Sequence, residues 1–218
     1  MRRWGVAGRR LAHGYTNESW LDGELVVKQY RHVDAVERLG TEVTALARVA
    51  GVVPVPSVVN VDPVRARAQF TYVPGRHGQE LINEGCGAQV LAAAGQTLRR
   101  LHDGVPGLVH GDYGPQNLLL EPGSLAVVAV LDWEFAHHGD PVEDLAWTEW
   151  IVRLHHANSA RHLPALFEGY GRRPAWPLRH TTMQNRCAHF RRVCLHRGDQ
   201  TAAEMWRSRE QLTRSWRE

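Results

Sequence analysis

The 218-residue chain reads as an α+β protein in two lobes. A small β-rich N-terminal lobe over residues 1–73 precedes a larger, mostly helical C-terminal lobe over 74–218. Three observations predict this. Short runs rich in β-branched residues, bounded by turn formers, gather before Pro74-Gly75. Apolar residues at helical spacing dominate after it. Within that second part lies a Gly- and Pro-rich stretch, His110-Gly111-Asp112-Tyr113-Gly114-Pro115-Gln116-Asn117, followed by a strand-like run ending on Asp132.

Taken in order, residues 11–30 read as a loop and then strands. His13-Gly14-Tyr15-Thr16-Asn17 is a candidate phosphate-covering turn, although it is not a G-x-G-x-x-G. No Walker-type G-x-x-x-x-G-K-[ST] occurs, which argues against a P-loop enzyme. Glu24-Leu25-Val26-Val27-Lys28-Gln29-Tyr30 reads as a strand. Residues 34–50 follow as a helix whose apolar face is Val36, Leu39, Val43, Leu46 and Val49. Val52-Val53-Pro54-Val55-Pro56 makes an extended link; 58–61 and 68–73 then read as strands, the second stopped by Pro74-Gly75. A helix over 87–103 carries the stripe Val90, Leu91, Ala94, Leu98 and Leu101. The run Ala126-Val127-Val128-Ala129-Val130-Leu131 is a strand. Asp140-Pro141-Val142-Glu143 begins another helix, with Asp as cap, Pro in the first turn and Glu following. It runs to about residue 157, apolar at Leu145, Trp150, Ile151 and Leu154.

Composition narrows the class. Hydrophobic content of 43% and charged content of 22% are those of a soluble globular chain. No run nears the roughly 18 apolar residues that span a bilayer, and Arg2-Arg3 is followed by no apolar stretch of a signal peptide. Cys86, Cys187 and Cys194 are odd in number and form no C-x-x-C, so a reducing cytoplasm is the expected compartment. Net charge is +3, yet from Ile151 onward thirteen Arg face five acidic residues. Those arginines are scattered along helical patterns without interleaved aromatics, which argues for solvated faces and against nucleic acid as a partner. His137-His138 and His155-His156 are neighbours that point apart, so no shared metal is expected. Cys187 and Cys194, seven apart in a helical pattern, read as buried apolar residues. Of the eight tryptophans, Trp133, Trp147 and Trp150 read first as core and second as pocket walls.

The chemistry-bearing residues form a set. Phosphoryl transfer needs one carboxylate to accept a hydroxyl proton, and an Asn and a second Asp to hold Mg²⁺ on the phosphates. Asp112 and Asn117, five apart, and Asp132 supply those types in that order, with the Asp-to-Asn spacing of the protein-kinase loop H-R-D-x-x-x-x-N. Lys28 is the only lysine although Lys and Arg together number 26. A compact point charge suits phosphate oxygens where a planar fork does not, and Glu42 on the following helix is its natural partner.

The wording His110-Gly111-Asp112, with Leu131-Asp132-Trp133-Glu134, resembles the aminoglycoside phosphotransferase and choline kinase family over roughly residues 10–150. That resemblance implies a protein-kinase-like fold with ATP or GTP bound between the lobes. It implies Asp112 as catalytic base, Asn117 and Asp132 as Mg²⁺ ligands, and Lys28, held by Glu42, on the α- and β-phosphates. It makes Phe70-Thr71-Tyr72-Val73-Pro74-Gly75 the adenine linker through Thr71 C=O and Val73 N–H, and places Thr16 near a phosphate. His110 and Asp144 become anchors of the loop, and Asp140 a cap.

The partner implied is a small hydroxylated acceptor. In the family it is chosen by helices after Asp144-Leu145-Ala146, which here are short and rich in arginine. Polycationic aminoglycosides want an acidic pocket, so choline-like, sugar, amino-alcohol and other antibiotic acceptors stand beside them. A catalytically silent kinase-like nucleotide-binding or sensor domain is the alternative. A peptide kinase is disfavoured by Trp133-Glu134 after Asp132 and by the lack of A-P-E.

Overall fold

The computed structural model describes residues 9–11 and 17–218. The first half builds one antiparallel sheet from β1 (Arg9–Arg10), β2 (Glu18–Asp22), β3 (Leu25–Gln29), β4 (Val58–Asp62) and β5 (Arg67–Thr71), in the order β1-β2-β3-β5-β4. The helix α1 (Ala35–Val49) intervenes between β3 and β4. Leu39, Leu46 and Val49 of α1 join Ala68 and Phe70 of β5 in the main core. The extended link is stitched to the other half of the molecule, since Val130 N–H donates to Pro54 C=O at 2.8 Å.

The second half is helical with small sheet pieces. It runs β6 (Arg76–His77), α2 (Gly78–Asn83), α3 (Gly87–Gly104), β7 (Leu108–Val109), β8 (Leu118–Leu120), β9 (Val127–Val130), β10 (His137–His138), α4 (Val142–His155), α5 (Leu163–Tyr170), α6 (Trp176–His196) and α7 (Gln200–Ser215). Strands β6, β8 and β9 pair as one small sheet and β7 with β10 as another. These short strands serve to hold two loops, 110–117 and 131–136, side by side. The expected α3 stripe is fully inside, with Val90, Leu91, Ala94, Leu98 and Leu101 all buried. A second core joins Trp147, Trp150, Ile151, Met183, Cys187 and Phe190 of α4 and α6.

Asp140 starts α4 as the pattern suggests: its carboxylate accepts the Val142 N–H at 2.9 Å, and Glu143 Oε1 accepts the Asp140 N–H at 3.0 Å. Three expectations need correction. Val36 is 56% exposed, and the inner face of α1 carries Arg38 and Glu42 instead, both buried because both find opposite charges there. Strand β5 stops at Thr71 rather than Val73. Cys187 is buried as expected, but Cys194 is only half-buried on α6.

One contact joins the far end of the chain to the first helix. Arg197, just past α6, donates through Nε and Nη2 to Asp34 Oδ2 at 3.0 and 2.7 Å, at the start of α1. Although burial works against the Asp34 charge, Arg197 and Arg38 hold its carboxyl below the usual range.

Helices α3 and α5 approach closely enough that two glycines are required. A Cβ on Gly95 would collide with Leu166 C=O and lie 2.8 Å from Tyr170 N, and one on Gly169 would strike Ala92 C=O. Gly95→Ala is therefore expected to destabilise the fold by about 1–3 kcal/mol despite the better helix propensity of Ala, read as a lowered urea midpoint. An unchanged midpoint would show that these helices separate freely.

Candidate active site

The loop after β7 is shaped by one buried carboxylate. Asp144 accepts the His110 N–H at 2.8 Å and the Gly111 N–H at 2.9 Å, with His102 Nε2 3.2 Å away. Gly111 takes φ +81°. Any Cβ there would meet Phe135 C=O, so the chain can turn at this point only on a glycine. His110 then pins the loop to its neighbour: Asp112 N–H donates to His110 Nδ1 at 3.1 Å, which leaves the protonated Nε2 to donate to Leu131 C=O at 2.8 Å. Burial lowers the His110 pKa, so the ring is a neutral fastener.

That fastening sets Asp112 beside Asp132. Both Asp112 oxygens are held, Oδ1 by the Trp147 indole N–H at 2.7 Å and Oδ2 by Asn117 Nδ2 at 3.1 Å. Asn117 Nδ2 also donates to Asp112 C=O at 2.8 Å. Burial pushes the Asp112 carboxyl up to about 7; the Asp132 charge adds to the shift, while the two hydrogen bonds and the Arg186 cation oppose it. A carboxyl poised there is suited to accept a proton near neutral pH.

Across the cleft, Lys28 on β3 lies among carboxylates. Its Nζ is 2.6 Å from Glu42 Oε2 and 3.6 Å from Glu134 Oε2, and it also contacts Asp132 Oδ1. Burial disfavours the Lys28 charge, but Asp132, Glu42 and Glu134 together outweigh it and raise the pKa well above the ordinary value. Tyr30 OH donates to Glu42 Oε2 at 2.5 Å. Glu134 is gripped by Arg38 Nη1 at 2.7 Å and Asn17 Nδ2 at 2.6 Å. Among the described residues, Glu42, Asp132 and Glu134 place oxygens within 4.8 Å of one another. Lys28 and Arg38 already sit in that cluster, so it reads as the seat of the cations.

A cavity of about 410 Å³ opens on these groups. Lys28, Glu42, Thr71, Val73, Asn117 and Asp132 line it, with Val26, Phe70 and Leu119 among its apolar walls. Asp112 adjoins through Asn117, and Thr16 lies outside the described residues. Asn117 and Asp132 flank the hydrogen bond from Leu131 N–H to Asn117 C=O (2.8 Å), which brings the two side chains to one wall. Asn117 spends its amide NH₂ on Asp112, leaving its carbonyl oxygen for a cation. Two hard oxygen donors on one wall of the cavity are the donor type that Mg²⁺ takes. Asp132 takes φ +67°, a left-handed conformation uncommon outside glycine and a form of strain that gathers at functional sites.

Four site residues escaped the sequence reading as site residues. Arg38 and Glu134 form the ion pair behind Lys28, Trp147 holds Asp112, and Arg186 of α6 donates to Gly111 C=O. The spacing of Glu134 two residues after Asp132 was the available sign for one of them; Arg186 stands 75 positions from Gly111 and had none.

A family model described as the phosphotransferase enzyme family matches residues 7–106 and 103–181, most of the chain. The chain belongs to that family. Among solved structures, the GDP complex of aminoglycoside 2′-phosphotransferase-IIIa superposes with a TM-score of 0.72 at 13% identity, covering 95% of this phosphotransferase-family chain and 92% of the other. The gentamicin complex of APH(2″)-IIa gives 0.68 at 14% identity, with 93% and 90% covered. At these identities the likeness is one of fold, and it is the protein-kinase-like fold in α+β form with a small sheet lobe and a helical lobe. Mouse acyl-CoA dehydrogenase family member 11 is 39% identical over 61 residues, 26% of this chain and 8% of its own length. A probable bifunctional tRNA threonylcarbamoyladenosine biosynthesis protein of Haloarcula marismortui is 38% identical over 109 residues, 44% of this chain and 19% of its own length. The matched segments are thus small parts of these relatives. No described helix is long and apolar enough to cross a membrane.

Because the Trp147 indole stabilises the ionised form of Asp112, Trp147→Phe is expected to raise the Asp112 pKa by about one unit. Carbon-13 NMR titration of the Asp112 carboxyl reads this directly. A carboxyl that titrates unchanged would mean the hydrogen bond has no hold on it.

Proposed function

We propose that the chain is a Mg²⁺-dependent phosphotransferase that moves the γ-phosphoryl group of ATP or GTP to a hydroxyl of a small molecule. The observation that carries the reading is the convergence of Lys28, Asn117 and Asp132 on one cleft, with Asp112, held at both oxygens, adjoining it through Asn117. The related folds include complexes with GDP and with ADP and streptomycin, which supports a nucleotide donor and a hydroxylated acceptor.

In this reading the acceptor oxygen attacks the γ-phosphorus and its proton passes to Asp112. The bond from phosphorus to the β-bridging oxygen breaks, and its electrons leave with the nucleoside diphosphate. Trp147 and Asn117 fix the rotamer of the base, so its orientation is set before substrate arrives. Lys28 turns from Asp132 toward the α- and β-phosphates while Glu42 keeps hold of it. Asn117 and Asp132 would hold Mg²⁺, which supplies charge neutralisation on the phosphates. Thr71 C=O and Val73 N–H would meet the adenine or guanine edge, with Thr16 at a phosphate. Residues 1–73 act as the nucleotide lobe and 74–218 as the catalytic and acceptor lobe, in a cytoplasmic protein. Catalysis comes mostly from alignment and charge.

Titration of nucleotide into the protein with and without Mg²⁺ tests the site without knowledge of the acceptor. Saturation at about 100 times Kd adds about 2.7 kcal/mol, so the midpoint should rise by roughly 5–10 °C. No shift at millimolar nucleotide would favour the silent domain. With an acceptor in hand, Asp112→Asn should cut kcat by about 10²–10⁴ while nucleotide affinity holds. As the base works only when ionised, wild-type kcat/KM should climb with pH through about 7.

A further inference from the structure

Beyond Asp112 the helical lobe stacks aromatics into a floor, of which Trp147 and Phe190 are buried in the second core and Trp206 is half-buried. Trp147, whose indole holds Asp112, lies 5.2 Å from Phe190 and 6.0 Å from Trp206 between ring centroids. Phe190 and Trp206 stack at 4.9 Å and 21°. Two arginines cap this floor, Arg186 over Phe190 at 4.6 Å and Arg209 over Trp206 at 4.7 Å.

Neither arginine forms a close ion pair among the described residues, although Asp112, Asp144 and Glu143 act on Arg186 from farther off. Arg186 donates to Gly111 C=O, and its Nε is buried without a hydrogen-bond partner. The Arg209 guanidinium lies over the Trp150 and Trp206 rings, with the Cys187 thiol its nearest titratable influence. The carboxylates of the surrounding helices are already engaged: Glu143 with His137, Glu149 with Arg153 and Arg179, Glu204 with Arg207, and Glu210 with Arg191 and Arg214. Helix α6 carries no acid at all. His189 on the same helix shows the sign of the local field: burial and the neighbouring Arg186 and Arg192 push its pKa down to about 4. A polycation docking here would meet two guanidinium groups, with Asp112 beside Arg186 as a carboxylate outside any ion pair among the described residues. An anion would meet two guanidinium groups, one beside the base and one farther along the floor.

We infer that the acceptor carries a carboxylate or phosphate on a flat or apolar body, with its hydroxyl at Asp112 and its anionic group read by Arg186 and Arg209. This rests on the phosphotransfer reading and narrows its acceptor. The transfer is balanced as before, the hydroxyl proton going to Asp112 and the nucleoside diphosphate leaving. Arg209 stands clear of the nucleotide cleft and of the catalytic loop, so it is a specificity-determining residue that can be changed without touching either.

Three probes share a ring and a hydroxyl and differ in charge: 4-(hydroxymethyl)benzoate, 4-(hydroxymethyl)benzamide and 4-(aminomethyl)benzyl alcohol. Binding is read by tryptophan fluorescence on protein loaded with Mg²⁺ and a non-hydrolysable nucleotide, and turnover by nucleoside diphosphate release. The benzoate is expected to bind at least about tenfold more tightly than the amide, and the amine most weakly. Arg209→Gln should erase the preference while the nucleotide-induced thermal shift stays as in wild type, and Arg209→Lys should restore part of it. Nucleotide binding together with equal or better binding of the amine overturns the anionic acceptor and leaves phosphotransfer standing, as does a benzoate preference untouched in Arg209→Gln. Absence of any Mg²⁺–nucleotide shift removes the phosphotransfer reading and this acceptor with it.

Discussion

Lys28 carries its charge where little water reaches, and the chain meets that demand by convergence. Glu42 comes from α1, while Asp132 and Glu134 come from the turn after β9, more than a hundred residues away. Removing one partner of a buried pair leaves an uncompensated charge, a cost of about 3–5 kcal/mol. The sheet that bears Lys28, the helix that bears Glu42 and the loop that bears Asp132 are therefore placed by one electrostatic condition. Arg38 extends it, since its hold on Glu134 joins α1 to that same loop and brings Asn17 along.

The loop over 110–117 answers to a different condition. Here the carboxylate that does the holding, Asp144, keeps a lowered pKa against burial because His102, His110 and backbone N–H groups surround it. Asp112, one turn of loop away, has fewer such donors and is pushed the other way. Two aspartates in one neighbourhood thus titrate in opposite directions, one a fixed anion that shapes the backbone and the other raised toward neutrality, as the proposed base requires.

What could be read beforehand follows from what periodicity and spacing encode. The α3 stripe and the start of α4 at Asp140 are local properties, and both appear as read. The pairing of Lys28 with Glu42 was legible because a lone lysine on a strand asks for a partner, and the approach of Asp112, Asn117 and Asp132 because of their order and spacing. Apolar counting failed on α1, where Val36 faces out and Arg38 faces in, since burial there is decided by partners distant in sequence. Trp147 was read as core by default, and nothing local marks its indole as the one aimed at Asp112. Contacts made by backbone groups, such as those expected of Thr71 and Val73, leave no residue-type signature at all.

The bond between Arg197 and Asp34 links the end of α6 to the start of the helix that carries Glu42. Any movement of α1 against α6 would have to part this two-donor grip on Asp34 Oδ2 or carry the end of α6 with it. Under the proposed phosphotransfer this strut would couple the nucleotide-side helix to the helices proposed to face the acceptor.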